Sequence, residues 1–218
     1  KGEVIFPDGK LHPHFHSTFT ETGRLSSSEP NAQNWPKRND NWTRRTIIPP
    51  PGHLMVAVDY GQLEACTAAM CSKDKSLVEA LWNDYDIHLD FAQKVDAVYP
   101  DLRAGGDMKK FRSIIKNRFV FPAIFGAQAS SIAGYLGMPE NIAEDLLKAL
   151  WEKYTGLKRW QDQTMASYYD CGYVETLTGR RHNYPLTRNQ AINMPVQGTA
   201  AELVCDAMSR LSYIAAST

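Results

Sequence analysis

The sequence predicts an α+β fold, in which an antiparallel sheet backed by helices accompanies a mainly helical middle region. Three observations support this fold class. The apolar run at residues 54–58 is short and β-branched, follows a turn-forming stretch at 49–52, and is typical of a buried strand. Residues 127–172 carry apolar side chains at helical spacing. Residues 173–184 alternate about Thr178-Gly179 as the two strands of a hairpin do.

Little regular secondary structure is predicted for residues 1–38, which precede this strand. Residues 1–19 are typical of strand or loop, and His12, His14 and His16 would share one face of a strand. That face could bind a metal ion. A hydrogen-bonded or exposed face is the stronger interpretation, because no Cys, Asp or Glu cluster matches it. Residues 20–38 are polar and rich in turn formers, which predicts a long surface loop.

Helix boundaries after residue 60 follow from capping residues and helix breakers. Asp86 is a suitable N-cap for a helix that runs towards Tyr99 and stops before Pro100. A later helix begins near Pro139, and Gly156 is expected to separate it from the next one. That next helix ends at residues 171–172, and the last helix of the chain is expected to reach about residue 215.

The composition constrains the class of protein more than its partners. The 218 residues include 24 basic and 24 acidic side chains, so net charge alone gives no reason to expect a polyanionic partner. The basic residues nevertheless cluster, and such clusters attract phosphate locally or are simply solvated surface. The clusters are Lys37, Arg38, Arg44 and Arg45; Lys109, Lys110, Arg112, Lys116 and Arg118; and Arg180, Arg181 and Arg188. Four scattered cysteines, no signal peptide and no apolar span predict a reduced, cytoplasmic protein.

Asp59 is the first candidate functional residue, because it ends the predicted strand where a helical pattern begins. A carboxylate there is well placed to hold a metal ion, and its oxygen ligands suit Mg²⁺. Taken alone, Asp59 is more readily explained as the N-cap of the following helix than as a metal ligand.

Five blocks of sequence change that balance, because together they resemble the DNA polymerase I family, family A, in the order of that family. The first is Asp59-Tyr-Gly-Gln-Leu-Glu64, similar to the family's Asp-Tyr-Ser-Gln-Ile-Glu. The resemblance implies that Asp59 and the Tyr60 carbonyl hold metal. It implies that Gln62 and Glu64 contact the incoming nucleotide, with Glu64 in the space of a ribose 2′-hydroxyl.

The second block, Thr22-Gly-Arg-Leu-Ser-Ser27 followed by residues 30–36, resembles the family's Thr-Gly-Arg-Leu-Ser-Ser…Pro-Asn-Leu-Gln-Asn-Ile-Pro. The resemblance implies that Arg24 reaches the DNA minor groove at the primer end. Minor-groove acceptors lie in similar places in all base pairs, so an arginine there checks pair shape without choosing sequence. Neighbouring polar residues implied to touch the primer–template are Asn31, Gln33 and Asn34.

The third block, residues 112–126, resembles the helix of the family's fingers that grips the triphosphate. Arg112 and Lys116 are four apart and share a helix face. The family's aromatic follows four residues after the lysine, where this chain has Val120. One residue inserted as a bulge beside Pro122 would bring Phe121 and Phe125 into place. The resemblance implies that the incoming nucleotide is contacted by Arg112, Lys116, Phe121 and Phe125. It implies the same for His88, which lies outside this block. It also implies that Phe121 favours rejection of dideoxynucleotides.

The fourth and fifth blocks lie near the end of the chain. Tyr173-Val-Glu-Thr-Leu-Thr-Gly-Arg-Arg181 matches a family hairpin almost letter for letter. In the last block, Asn193 and Gln197 match residues that face the minor groove, and Arg188 lies one position from the family's arginine. All three are implied DNA contacts.

The resemblance implies a palm, formed by residues 1–66 and 187–218, and fingers, formed by residues 67–186. The implied reaction is template-directed transfer of a nucleotide from a dNTP to a primer 3′-hydroxyl with two Mg²⁺ ions. Asp59 and Lys116 would be catalytic, with Lys116 able to protonate the pyrophosphate. The partners would be a DNA primer–template, dNTPs and no membrane, in a bacterial or phage-infected cell.

The family's other metal-binding motif, His-Asp-Glu, does not occur in the 218 residues, which contain no His-Asp pair. We therefore expect these residues alone to bind DNA weakly, if at all, and not to polymerise. The motif would come from the rest of a truncated chain or, in a split polymerase, from a separate C-terminal fragment. Two alternatives stay open. A catalytically incomplete DNA-binding subunit would keep the same surface, and a single-subunit RNA polymerase is disfavoured by Glu64 and the Thr22–Ser27 block.

Overall fold

The computed structural model describes residues 8–35, 42–45 and 47–217. Two compact units are present, one formed by Gln62–Ala200 and the other by Lys1–Gly61 with Ala201–Thr218. Helices dominate the described chain and two small antiparallel sheets accompany them, which confirms the α+β class. Lys37 and Arg38, predicted as part of a basic cluster, lie outside the described residues.

The secondary structure follows the chain in this order: β1 His14–His16, β2 Ser26–Ser28, α1 Trp42–Arg45, α2 Leu63–Ser72, α3 Lys75–Trp82, α4 Ile87–Val98, α5 Met108–Ile115, a π-helical segment Lys116–Val120, α6 Phe121–Ile124, α7 Ala129–Leu136, α8 Glu140–Lys153, α9 Thr155–Cys171, β3 Tyr173–Glu175, β4 Arg181–Asn183 and α10 Arg188–Ser217. Short 3-10 turns lie at Ala32–Asn34 and Pro100–Leu102. In the described chain, no helix is both long and apolar enough to cross a bilayer.

In the Gln62–Ala200 unit, several helices begin or end at the residues that the sequence predicts. Asp86 accepts a hydrogen bond from the Leu89 N–H and so begins α4, which ends before Pro100. Pro139 precedes the first residue of α8, and Gly172 ends α9 in the left-handed conformation. Gly156 was expected between helices but is the second residue of α9, because α8 already ends at Lys153.

Asp74 joins two of these helices through one buried carboxylate. Its Oδ1 accepts the Leu77 N–H at 2.8 Å in the first turn of α3, and its Oδ2 accepts the Leu157 N–H at 2.9 Å in the first turn of α9. Gly156 makes the approach possible, since a Cβ there would lie 2.9 Å from the Asp74 Cα. Both helix N-termini therefore find an acceptor for a donor that the helix itself leaves unpaired.

One rod-like stretch from residue 108 to 124 runs through α5, the π-helical segment and α6. The Phe121 N–H donates to the Lys116 carbonyl five residues earlier, which is the spacing of a π-turn. This confirms the predicted one-residue bulge beside Pro122. A proline cannot donate to the preceding turn, and the wider turn absorbs both the missing donor and the extra residue.

Gln161 holds the end of this stretch from a neighbouring helix. Its side chain is almost fully buried in α9 and its Nε2 donates to the carbonyls of Ala123 and Ile124, at 3.0 and 2.9 Å. The Ala123 carbonyl also accepts the Gly126 N–H at 3.1 Å, so Gln161 gives it a second donor and supplies a donor to the Ile124 carbonyl at the end of α6. The core around them includes the fully buried rings of Phe91 and Phe119.

The predicted hairpin is confirmed, with β3 and β4 antiparallel and Val174 opposite His182. The stretch 20–38, predicted as loop, is more ordered where the structure describes it. Its segment Ser26–Ser28 pairs with β1, and Phe15 lies opposite Ser27. The short polar side chains of β2 gave no β-signal, so its strand forms through its partner rather than through its own propensity.

The predicted buried strand at residues 54–58 is wrong for this structure. The segment has no regular secondary structure and all its side chains are exposed, with Leu54 at 90% and Val58 at 77% of full exposure. A strand needs neighbouring strands to pair its N–H and C=O groups and to cover its apolar side chains. No strand among the described residues pairs with this one.

Candidate functional site

The side chains that most resemble a binding site form one cluster on α4, α5, the π-helical segment and the start of α6. We call His88, Arg112, Lys116 and Phe121 the cationic cluster. The Lys116 Nζ lies 4.9 Å from the centre of the Phe121 ring, and the His88 ring meets the same ring edge-on at 5.2 Å. Arg112 lies one helical turn before Lys116. Two cations, an imidazole and an aromatic face are thus brought together, as the motif predicts.

The π-turn decides which aromatic joins this cluster. With the extra residue, Phe121 is only partly buried and packs beside Lys116, whereas Phe119 and Val120 are fully buried in the core. Phe125 continues the aromatic face, with its ring 6.0 Å from that of Phe121. The position of Phe121 beside Lys116 is therefore compatible with the alignment that has one inserted residue, in which Phe121 occupies the position of the family's aromatic.

A carboxylate from outside the motif anchors Arg112. The Asp86 Oδ2 accepts the Arg112 Nε–H at 2.7 Å while its Oδ1 caps α4. Burial alone would raise the pKa of Asp86, but the hydrogen bonds from Arg112 and from the Leu89 N–H outweigh it, so the pKa lies below its usual value. Asp86 is therefore ionised at neutral pH and remains paired with Arg112.

His88 is held in its neutral form. Burial is the largest effect on its pKa, and the nearby charges of Lys116 and Arg112 add to it, so the pKa falls to about 4. Its Nδ1 is buried with no hydrogen-bond partner among the described residues. At neutral pH the ring can thus donate from one nitrogen without adding a charge.

Phe125 connects the cationic cluster to an open pocket of about 660 Å³. Asn189 and Asn193 of α10 line the pocket, which also has aromatic, amide and guanidinium surface. The other lining residues are Asn117, Arg118, Pro122, Ala127, Tyr135 and Gln190. The structure therefore places Asn193, predicted to contact DNA, beside Phe125, predicted to contact the nucleotide.

The remaining predicted residues of α10, Arg188 and Gln197, do not line that pocket. Gln197 lies one turn after Asn193 and is partly buried. The Arg188 Nε is buried without a hydrogen bond among described groups, and its Nη2 is 3.9 Å from the Asp162 carboxylate. Asn193 Oδ1 is likewise buried without a described partner. These groups have bonding capacity that a polar ligand could use.

Gln62 and Glu64 begin α2, in the same compact unit as the cationic cluster. Gln62 is the N-cap residue in a left-handed conformation, with φ 54°, and Glu64 follows in the first turn, partly buried. Asp59 is therefore not the N-cap of this helix, and the alternative interpretation of it as a cap is wrong. The sugar-discriminating role of Glu64 stays a prediction.

The other unit carries the predicted DNA contacts of the second block and the predicted metal ligand. Asn31 accepts hydrogen bonds from the Gln33 N–H and the Ser27 hydroxyl, and the Gln33 side chain donates to the Leu25 carbonyl. Arg24 and Asn34 are exposed. This small network gives the block a defined shape, although its amides are partly engaged within it.

The metal-ligand predictions meet only part of what a divalent cation needs. Asp59 and Tyr60 are exposed and offer a carboxylate and a backbone carbonyl, oxygen donors of the kind that Mg²⁺ prefers. Throughout the described ranges, no group of three His, Cys, Asp or Glu side chains could hold an ion. The three histidines near the start do not form one either, since His12 pairs with Asp8 and His16 with Ser28.

Sequence reasoning missed Asp86 as more than a cap, and missed the pocket residues Asn117, Arg118 and Tyr135. The Asp86–Arg112 pair joins residues 26 apart, and only the packing of α4 on α5 brings them together. Asn117 and Arg118 line the pocket from within the π-helical segment, so the inserted residue was the available signal for them.

Comparisons with known proteins show which family this chain is similar to. The chain matches the family model described as DNA polymerase family A over residues 3–217. DNA polymerase I of Chloroflexus aurantiacus is 34% identical over 212 residues, which cover 92% of this chain and 22% of that protein. The thermostable DNA polymerase I of Thermus thermophilus is 35% identical over 218 residues, which cover 93% of this chain and 25% of that protein.

A solved structure is also similar, that of the POL domain of Pol1 from M. smegmatis in complex with DNA primer-template and dNTP. The match has a TM-score of 0.77 at 27% identity and covers 92% of this chain and 37% of that one. The chain spans about a quarter of the length of the curated relatives that it matches.

Proposed function

The chain belongs to DNA polymerase family A, and on that premise we propose that it takes part in template-directed DNA synthesis, with the cationic cluster as its site for the incoming triphosphate. One observation carries the proposal. Arg112 and Lys116 share one helix face, the Phe121 ring lies against Lys116 and the His88 ring against Phe121, all in the unit formed by Gln62–Ala200. Two cations beside a partly buried aromatic ring suit a phosphate chain attached to a flat base.

Each member of the cluster has a distinct task in this proposal. Arg112 and Lys116 bind phosphate oxygens whatever the base, and Lys116 stabilises the charge that develops on the leaving pyrophosphate and can donate a proton to it. Neutral His88 donates a hydrogen bond to a phosphate oxygen. Phe121 and Phe125 offer ring surface to the nucleoside, and Glu64 excludes a ribose 2′-hydroxyl.

The reaction would be attack of a primer 3′-hydroxyl on the α-phosphate, with pyrophosphate as leaving group. Family A polymerases are generally dependent on divalent metal. Here Asp59 and the Tyr60 carbonyl would hold Mg²⁺ together with substrate phosphates, the way this ion is commonly bound. When bound, Mg²⁺ supplies Lewis-acid stabilisation and lowers the pKa of the attacking hydroxyl. The second anionic ligand would be the aspartate of a His-Asp-Glu segment, on this polypeptide or a second one.

DNA would be held by two groups of residues. Arg24, Asn31, Gln33 and Asn34 form one, and Arg188, Asn193 and Gln197 in the first part of α10 form the other. The amides suit minor-groove acceptors, which are similarly placed in every base pair, so such a surface would hold any sequence. The palm and fingers assignments, residues 1–66 with 187–218 and residues 67–186, belong to the same proposal.

The experiment is steady-state primer extension by the full-length protein with each of the four dNTPs in turn. Lys116→Ala should raise KM for all four and lower kcat, because the lysine binds phosphate and acts most strongly in the transition state. The matched control is Lys110→Ala, an exposed lysine of the same helix outside the cluster. An effect restricted to one base, or an equal effect of both variants, would contradict the assignment.

A second candidate function is a DNA-binding subunit without catalysis, since a single carboxylate among the described metal-ligand candidates is compatible with it. The same assay separates the two. Extension by the full-length protein that Asp59→Asn removes supports catalysis. DNA binding without extension, in the presence of a polypeptide carrying His-Asp-Glu, would support the subunit instead.

A further inference from the structure

The Asp86 carboxylate bonds to two of the helices that carry the cationic cluster, α4 and α5. Its Oδ1 accepts the Leu89 N–H at 3.0 Å and so fixes the first turn of α4, where His88 lies. Its Oδ2 accepts the Arg112 Nε–H at 2.7 Å, on α5. The Asp86 side chain is thus in contact with α4, the helix that carries His88, and with the guanidinium of Arg112.

The bond to Nε restricts how Arg112 can point. An arginine side chain has several rotatable bonds and about 2 kcal/mol of rotamer entropy, and Arg112 is only partly buried. Asp86 is the sole hydrogen-bond partner that the described residues offer to Arg112. Since it uses the Nε–H, the two Nη groups, with their four N–H donors, remain available for a ligand. A guanidinium held by its Nε edge presents its Nη groups in one direction.

Simple electrostatics predicts that this carboxylate weakens triphosphate binding. Asp86 is an anion within a site proposed for a highly charged anion, and it offsets part of the positive charge of Arg112 and Lys116. If charge alone mattered, removing it would strengthen triphosphate binding. A carboxylate that aids binding in spite of its charge must act through orientation, and this difference in sign makes its role testable.

We propose that Asp86 is a positioning residue for the triphosphate site: it orients Arg112 so that both Nη groups face the phosphates, and it holds that guanidinium in register with His88. The inference rests on the proposed function, because it assigns a role within the same site. It adds a residue that lies outside the motif and acts through Arg112 rather than on the substrate.

The test is KM and kcat for dNTPs in primer extension by the full-length protein carrying Asp86→Asn or Asp86→Ser. Both replacements keep an N-cap acceptor for the Leu89 N–H, so α4 should still begin normally. Loss of the orienting carboxylate should raise KM for all four dNTPs about tenfold, within the range found when a substrate-positioning group is misplaced. Unfolding temperature should stay close to wild type for at least one of the two.

The chain offers a matched control on the same helix. Asp96 pairs with the Nε of Arg103 at 2.8 Å, an ion pair of the same geometry that does not touch the cationic cluster. Asp96→Asn should leave KM unchanged. If it raises KM as much as Asp86→Asn does, the effect comes from general loosening of α4 and the proposal is overturned.

A double-mutant cycle shows whether Asp86 acts through Arg112. In an Arg112→Ala background, Asp86→Asn should leave KM unchanged or lower it, because only the repulsion of the phosphates remains. An additive rise in KM would contradict positioning, and so would a fall in KM when Arg112 is intact. Failure of the proposed function is distinct, since there Arg112→Ala and Lys116→Ala would leave KM unaltered.

Discussion

The cationic cluster and the segment carrying Asp59 are opposites in how they are built. In the cluster, each functional side chain touches another: Lys116 lies over Phe121, His88 meets the same ring, and Asp86 holds Arg112. Asp59 instead follows an apolar stretch whose side chains are all exposed and which pairs with no described strand. Both carry strong family motifs. A motif therefore identifies a residue type, while preorganisation depends on whether the surrounding chain supplies its contacts.

The contrast follows from the range of the interactions involved. A helix pairs its own backbone within four or five residues, so a helical site is completed by nearby sequence and one packed neighbour. A strand gains its hydrogen bonds only from another strand, which comes from a distant part of the chain or from a second chain unless a hairpin supplies it, as for β3 and β4. The exposed residues Leu54, Val56 and Val58 are what such a strand would bury on pairing.

The largest expected effect concerns Asp59. Asp59→Asn in the full-length protein should lower kcat for nucleotide addition about a thousandfold, equivalent to about 4 kcal/mol, because it removes an anionic metal ligand from the reaction. Primer–template affinity should stay near wild type. Asp101→Asn, an exposed aspartate in a 3-10 turn, is the control for loss of a charge. Undiminished turnover by Asp59→Asn would exclude it as a ligand.

Asp74 tests the stability of the helical unit. Asp74→Ala should lower the free energy of unfolding by about 3 kcal/mol, because two helix N-termini each lose the acceptor of a buried N–H. Chemical denaturation measures this. The comparison is Asp107→Ala, which removes an exposed N-cap of α5 and should cost about 1 kcal/mol. Equal losses would show that Asp74 caps only one helix in solution.

His88 should make the helical unit less stable in mild acid. Its pKa in the folded protein, about 4, lies below that of an unfolded histidine near 6.5. The unfolded state therefore binds the proton first, and stability that is complete above pH 6.5 is lost as the pH falls towards 4. Between pH 7 and pH 5 the loss should be about 2 kcal/mol. His88→Gln should flatten this dependence in denaturant titrations, and an unchanged slope would contradict neutral burial of His88.

The π-turn makes the smallest but most specific prediction. Phe121→Tyr adds a hydroxyl to the ring over which the Lys116 ammonium lies, and it should relax discrimination against dideoxynucleotides about tenfold. Val120 is fully buried, so Val120→Tyr should instead destabilise the protein by about 1–3 kcal/mol through overpacking. Termination assays with both variants decide the register. Relaxed discrimination in Val120→Tyr would place the inserted residue elsewhere.

The sequence predicted the secondary structure of the Gln62–Ala200 unit well and that of residues 8–61 poorly, for identifiable reasons. The cap at Asp86, the stop before Pro100 and the bulge beside Pro122 are local signals, and all three are confirmed. Strand β2 consists of three serines and gave no signal, and the apolar run at 54–58 gave a strong one that was wrong. The Asp86–Arg112 pair has no local signature, because it depends on how α4 packs on α5.

The most direct test of the central claim is chemical labelling of the lysine that meets the triphosphate. A deoxynucleoside triphosphate with an acyl group on its γ-phosphate transfers that group to a nearby amine. The amide bond forms as the acyl–phosphate bond breaks and free triphosphate leaves. With the full-length protein and primer–template, mass spectrometry should find Lys116 acylated, and unmodified dNTP should suppress the label. Suppressible labelling of Lys109 or Lys110, with Lys116 unmodified, would contradict the account.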